Sequence, residues 1–408
     1  MASKYIERTL ESTLKKAAQE FPAVVLTGAR QSGKTTLLKH LFGKTHRYVS
    51  LEPPDTRAAA YTDPRGFLDF YSPPAIFDEI QYAPELLPYI KERIDADREM
   101  RGHYLLTGSQ NLLMLEKVTE SLAGRTAILR LLPLTQAEEN GQPGLLLPWE
   151  TRHKQKGEPA ARRDYRALWR SMLRGNYPEL VAGPSRDLAL WHASYIQTYL
   201  ERDVRELRQI GDLTSFQIFL KTLAARSSQL LNITALARDL GIAVNTVKNW
   251  ISVLEATYQV IILRPYFANI GKRLVKTPKL YFTDVGTLCY LVGIRDIEHL
   301  VNGPMAGAIF ETAAVMEIFK YFLHHGREPN MYFWRTSTGV EVDIVVEHGG
   351  KLVPLEAKLS STPKPAMVSG IFSFQEAFKQ KAAKGYLIYS GEDRKPVSSG
   401  VEAIPFFE

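Results

Sequence analysis

Gly28-Ala29-Arg30-Gln31-Ser32-Gly33-Lys34-Thr35, followed by Thr36, is the stretch from which this chain is best read. Glycines stand at both ends of the loop and Lys-Thr follows the second, the spacing of a phosphate-cradling Walker A loop. The flanks agree: Ala23-Val24-Val25-Leu26 is a short apolar strand, and Thr36-Leu37-Leu38-Lys39-His40-Leu41 continues as a helix. The glycines let backbone N–H groups turn inward at a helix N-terminus that already favours anions. On this reading Gly28 to Thr36 bind ATP, Lys34 reaches the β- and γ-phosphates, and the Thr35 hydroxyl is a ligand of Mg²⁺.

Outward from the loop, residues 20–135 alternate apolar strands with helical stretches, the pattern of a parallel α/β sheet. Pro74-Ala75-Ile76-Phe77 and His103-Tyr104-Leu105-Leu106 read as further buried strands. The first runs into Asp78-Glu79, a Walker B arrangement in which Asp78 holds the Mg²⁺ shell and Glu79 polarises the attacking water. Glu79 therefore argues for hydrolysis rather than binding alone. The second runs into Thr107-Gly108-Ser109-Gln110, where Ser109, ahead of Thr107, is the expected γ-phosphate sensor. Arg125 reads equally as an arginine finger to a neighbouring subunit and as a surface arginine.

The 408 residues allow several domains, and the formal charge of +7 suits a polyanionic partner without demanding one. Residues 216–300 hold ten Lys or Arg against five Asp or Glu, so the excess cations cluster there. No apolar run is long enough to cross a bilayer, and no secretory signal is read at the N-terminus. The single cysteine, Cys289, lies in an apolar run and fits a reducing compartment, so a cytoplasmic location is expected.

The Walker A loop, Asp78-Glu79-Ile80-Gln81, Leu122-Ala123-Gly124-Arg125 and Thr198-Tyr199-Leu200-Glu201-Arg202-Asp203-Val204 together resemble the prokaryotic AAA-type ATPases whose C-terminal half is a domain of unknown function. The resemblance spans nearly the whole chain. It implies an α/β fold: a P-loop, AAA-like parallel sheet core over residues 1–140, a helical lid or linker over 141–215, a winged helix over 216–300, and an α/β restriction-endonuclease-like domain over 301–408. It also implies a homo-oligomer, since members of this broad class often assemble into rings.

The central region has its own signal. Thr234-Ala235-Leu236-Ala237-Arg238-Asp239-Leu240, Gly241 and Asn245-Thr246-Val247-Lys248-Asn249-Trp250-Ile251 read as helix, tight turn, helix. Strands follow at Val260–Leu263 and Leu280–Phe282, with Lys272, Arg273, Lys276 and Lys279 in the basic loop between them. Asn245, Thr246, Lys248 and Asn249 are candidates to face a groove of DNA, with RNA left open. Four loop cations on phosphate would give a salt slope of about −3.6. Winged helices also serve as structural or protein-docking modules.

In the tail, Val340-Glu341-Val342-Asp343-Ile344-Val345-Val346-Glu347 and Lys351-Leu352-Val353-Pro354-Leu355-Glu356-Ala357-Lys358 flank Gly349-Gly350, a favoured two-residue hairpin loop. That loop sets Asp343 opposite Glu356 with Cβ atoms about 5 Å apart, where like charges repel unless a cation lies between them. Lys358 shares the face and falls opposite Glu341. The arrangement resembles the PD-(D/E)XK nucleases. It implies Mg²⁺ or Mn²⁺ held by Asp343 and Glu356, Glu311 assisting from the preceding helix, and Lys358 orienting water or neutralising phosphate charge. An ordinary Glu341–Lys358 ion pair is the plainer alternative.

The leading expectation is therefore an ATP-hydrolysing, DNA-processing protein with metal-dependent phosphodiester cleavage. An ATP-switched DNA- or protein-binding regulator with an inactive nuclease-like domain is the alternative, and a protein-remodelling ATPase is the weaker third.

Overall fold

The computed structural model describes residues 5–97, 99–108, 120–150, 165–199, 213–267 and 276–406. The N-terminal unit begins with α1 (Leu10–Glu20), β1 (Ala23–Thr27), α2 (Lys34–Phe42), β2 (Arg47–Ser50), α3 (Pro54–Thr62) and α4 (Pro64–Phe70). It continues with β3 (Ala75–Asp78), α5 (Leu86–Ala96), β4 (Tyr104–Gly108), β5 (Thr126–Arg130) and α6 (Gln136–Glu139). The five strands form one sheet in the order β2-β3-β4-β1-β5, every pair parallel. β1, β3 and β4 are buried along their whole length, which is why they read as unbroken apolar runs rather than alternating ones.

A helical stretch follows: α7 (Tyr165–Arg174), α8 (Pro178–Ala182), α9 (Leu188–Tyr199) and α10 (Leu213–Ala224). Next come α11 (Ile233–Leu240) and α12 (Val244–Ala256), joined through Gly241 at φ 66°, the left-handed conformation a glycine adopts without cost. The hairpin β6 (Val260–Leu263) and β7 (Lys279–Phe282) pairs antiparallel. Trp250 of α12 packs on Phe216 and Phe219 of α10, with ring centroids 5.1 Å apart in both pairs.

α13 (Val285–Leu291), which buries Cys289, and α14 (Ile297–Asn302) lead to the long α15 (Ala306–His324). The final unit adds β8 (Met331–Arg335), β9 (Glu341–His348), β10 (Lys351–Lys358), α16 (Ser369–Ala377), β11 (Gly385–Tyr389), β12 (Lys395–Ser398) and β13 (Val401–Pro405). These six strands make a separate mixed sheet, β12-β13-β11-β10-β9-β8. Gly349 and Gly350 sit at φ 55° and 75°, both positive, so the β9–β10 hairpin turns in the two residues expected of it. The register follows, with Lys351 opposite His348 and Leu355 opposite Ile344. Among the described residues no helix is long and apolar enough to cross a membrane.

Candidate functional site

The phosphate loop leaves the C-terminal end of β1 and enters α2. Gly28 sits at φ 140°, and a Cβ there would fall 1.9 Å from the Leu131 carbonyl oxygen. Only glycine lets the loop pass the chain leaving β5 so closely. Gly33 caps α2 at φ 94°, and Gln31 is also left-handed at φ 57°. The Lys34 ammonium folds over the loop and donates to the Gly28 and Ala29 carbonyls at 3.0 and 2.8 Å.

Opposite the loop, Asp78 at the end of β3 accepts from three hydroxyls. Thr35 Oγ1 lies 3.0 and 3.1 Å from its two oxygens, Tyr48 Oη lies 2.7 Å away, and Thr107 Oγ1 makes a short contact. A hydroxyl facing a carboxylate is the donor set that Mg²⁺ takes beside a nucleotide, so Thr35 and Asp78 fit that ion. Glu79 follows at φ 60°, its carboxylate gripped by Gln81 and its N–H donating to Thr107 Oγ1 at 3.1 Å. Thr107 therefore props both acids. Ser109, favoured from the sequence, lies outside the described residues. Tyr48 was not legible as a partner because β2 is remote in sequence, although adjacent in the sheet.

These groups open on a cavity of about 1050 Å³, lined by Arg30, Gln31, Gly33, Lys34, Thr35 and Glu79 on one side. Pro178 of α8, Arg186, and Tyr195 and Thr198 of α9 line it too, so part of the segment expected as a lid borders the site. Residues 20–140 match the AAA domain model, 165–298 match a domain of unknown function (DUF8612), and 306–408 match another (DUF4143). Uncharacterized protein Rv2008c of Mycobacterium tuberculosis is 33% identical over 403 residues, covering 98% of this chain and 83% of its own length. Uncharacterized protein Mb2031c of Mycobacterium bovis matches to the same extent. This chain belongs to their family, and it is an AAA-type P-loop ATPase. Among solved structures, the Walker-type ATPase of Pyrococcus abyssi overlaps 70% of the chain and 96% of its own, at 15% identity and a TM-score of 0.45. A RuvB variant of Thermotoga maritima overlaps 62% and 88%, at 16% identity and a TM-score of 0.27.

Arg125 of the ATPase lies at the N-terminal edge of the sheet, where its carbonyl accepts from Ala23 N–H. That is the end opposite the phosphate loop, so Arg125 cannot reach its own nucleotide. Its guanidinium forks onto Asp95 at 2.6 and 3.1 Å. On α12, Asn245, Lys248 and Asn249 are exposed and Thr246 is half-buried; Lys276 is exposed as well. Lys272 and Arg273 lie outside the described residues, as do Leu200 and the Glu201-Arg202-Asp203-Val204 segment.

Lys279 corrects the sequence reading. Expected among the wing's phosphate-facing cations, it is only 4% exposed and points from β7 into the C-terminal unit. Its ammonium lies 3.0 Å from Glu311 of α15 and bridges to Glu341 of β9. Burial alone would depress its pKa, but Glu311 and the neighbouring acids outweigh that and hold it charged. Its place at the end of a basic loop hid this, since clustered loop cations usually face water.

Beside it, Asp343 and Glu356 are 5% and 4% exposed, and Lys358 Nζ bridges them at 3.0 and 2.7 Å. Lys358 thus pairs with these two acids, while Glu341 is taken by Lys279 and by Arg335 at 2.7 Å; the plain Glu341–Lys358 pair is not what forms. Burial works against ionisation of Asp343, but the Lys358 ammonium outweighs it and holds that carboxyl below its usual range. Burial and the Asp343 charge push the Glu356 carboxyl well above its usual range. Glu311, half-buried and accepting from Tyr281 Oη at 2.7 Å, is pushed up to about 7 by desolvation and the Asp343 charge.

Proposed function

We propose that this ATPase acts on DNA, and that its C-terminal unit hydrolyses a phosphodiester with a divalent cation while the central unit grips the strand. The observation that carries the reading is the Asp343–Glu356 pair, two buried carboxyls bridged by one lysine. Like charges so close share a proton unless a cation replaces it. Among the described residues no three His, Cys, Asp or Glu side chains form a ready metal cage. Mg²⁺ is commonly held by one or two carboxylates, with water and phosphate completing its shell, so this donor set fits an open site. Asp343 and Glu356 would hold Mg²⁺ or Mn²⁺, with Glu311 assisting. The ion would supply Lewis acidity and an acidified water. Lys358 would orient that water or meet the phosphate charge. Asn245, Thr246, Lys248 and Lys276, with Lys272 and Arg273, would contact nucleic acid, and RNA is the alternative polymer. A homo-oligomer, in which Arg125 exchanges Asp95 for a neighbour's nucleotide, belongs to the same proposal.

A second reading has its own support. Lys279 and Lys358 already engage Glu311, Glu341, Asp343 and Glu356 from within the chain. A cluster neutralised in this way suits an ATP-switched binder of DNA or protein. The test is to incubate wild type, Lys34→Ala and Asp343→Ala with labelled linear and branched DNA, Mg²⁺ or Mn²⁺, with and without ATP. Cleavage by wild type that Asp343→Ala abolishes supports the nuclease. No product in any lane sinks it and leaves the switched binder.

A further inference from the structure

Arg8, two residues before α1, is 4% exposed and reaches three parts of the fold. Nη1 donates to the Ser32 carbonyl of the phosphate loop at 2.8 Å, and Nη2 to the Leu132 carbonyl beyond β5 at 2.7 Å. Nε lies 3.2 Å from Glu138 Oε2. A forked guanidinium pins two carbonyls at a fixed spacing, which an ammonium cannot do. Ser32 directly precedes Gly33 and Lys34, so the position of its carbonyl sets where the next N–H groups and the Lys34 stem begin.

Glu138 in turn is fully buried and surrounded by donors. Thr9 N–H reaches Oε1 at 2.8 Å and Thr135 N–H reaches Oε2 at 3.0 Å. Its other side-chain neighbour is His324, whose charged form burial disfavours; Nδ1 lies 3.1 Å from Oε1, and Nε2 accepts from Leu132 N–H at 3.2 Å. His324 is the last residue of α15 and belongs to the region that matches the C-terminal family model. Lys320, one turn earlier, donates to the Leu134 carbonyl at 3.0 Å, and Glu317 accepts from Gln136 N–H at 2.8 Å. One face of α15 therefore holds the segment Leu132–Glu138 along its length. Buried charged networks of this kind fix geometry, because each member leaves a costly orphan if its partner shifts.

We propose that His324, acting through Glu138 and Arg8, is a positioning residue for nucleotide binding, so that the C-terminal unit sets the shape of the phosphate loop. His324 touches no part of the loop itself. It orients Glu138 and braces Leu132, Glu138 orients Arg8, and Arg8 holds Ser32. The chain would thus carry an ATP site whose affinity depends on a residue 290 positions after the P-loop lysine (324 − 34).

The test measures binding of a fluorescent ATP analogue together with KM and kcat for ATP, in wild type, His324→Ala, His324→Asn and Arg8→Lys. His324→Ala is expected to raise Kd and KM about tenfold, within the usual range of coupling between sites, with a smaller fall in kcat. His324→Asn, which keeps a donor near the Nδ1 position, should recover part of the loss. Arg8→Lys keeps the charge beside Glu138 but loses the fork, and should raise KM in the same direction. A cooperatively folding His324→Ala protein with Kd and KM within about twofold of wild type would overturn the proposal. So would a fall in kcat alone. If His324→Ala does not fold, Arg8→Lys decides: unchanged KM overturns the proposal, and raised KM with an unchanged unfolding midpoint supports it.

Discussion

The acids of the nucleotide site and those of the C-terminal unit are held in opposite ways. At the nucleotide site, Asp78 is supported by the hydroxyls of Thr35, Tyr48 and Thr107 beside a large cavity. At the C-terminal site, Asp343, Glu356, Glu311 and Glu341 are supported by the ammonium groups of Lys279 and Lys358. Hydroxyls steady a carboxylate without spending its charge, so Asp78 keeps that charge for an arriving cation. Lysines neutralise the acids they steady, so the metal ion proposed for the second site would have to displace or share with a lysine.

The contrast can be broken most directly at the first site. Lys34→Ala should lower ATP turnover by about two orders of magnitude or more, the scale seen when one preorganised charge donor is lost. Phosphate release measures this, and turnover within tenfold of wild type would mean that the loop does not work as read. Unequal support should also show in stability. Lys279→Met strips a buried cation from two acids and should cost about 3–5 kcal/mol in urea unfolding, whereas Tyr48→Phe removes one of three hydroxyl donors to the Asp78 carboxylate and should cost about 1.5–2 kcal/mol. Similar values for the two would erase the distinction.

A pH series sharpens it further. Glu311 rises from an ordinary 4.5 to about 7 in the folded chain, so the native state holds a proton that the unfolded state has lost. Its contribution is fully present below about 4.5 and disappears as pH rises through about 7. Over that window Glu311→Gln should flatten the decline of the urea midpoint, and an unchanged slope would remove Glu311 from the cluster's titration. Smallest of all, Arg125→Ala removes a partly exposed pair with Asp95 and should cost less than about 1 kcal/mol. A much larger fall in ATP turnover at high protein concentration would reveal a neighbouring subunit that uses the arginine.

What could be read in the sequence was whatever is encoded locally. The Walker loop, the acid pair after β3, the Gly241 turn and the Gly349-Gly350 hairpin each depend on a few consecutive residues, and each sits where its spacing placed it. The register that sets Asp343 beside Glu356 follows from the two-residue turn alone. Arg8, Glu138 and His324 were invisible because their meaning lies in separations of 124 to 192 residues. Lys279 misled because charge was assigned by neighbours in the chain, while burial is decided by neighbours in space. Thr107 and Ser109 are both small hydroxyls after one strand, so spacing does not rank them; the fold shows Thr107 hydrogen-bonded to Asp78 and to the Glu79 N–H, while Ser109 lies outside the described residues.

Cys289 has a practical consequence. It is the chain's single thiol, it is fully buried in α13, and that burial pushes its pKa up. Maleimide and similar dyes attack the thiolate at an accessible sulfur, so the native chain should be silent to them. A cysteine introduced at exposed Lys248 or Tyr61 would then be the one place where a dye attaches. A pair so placed would turn the molecule into its own ruler for the distance between the nucleotide-binding half and the central helices.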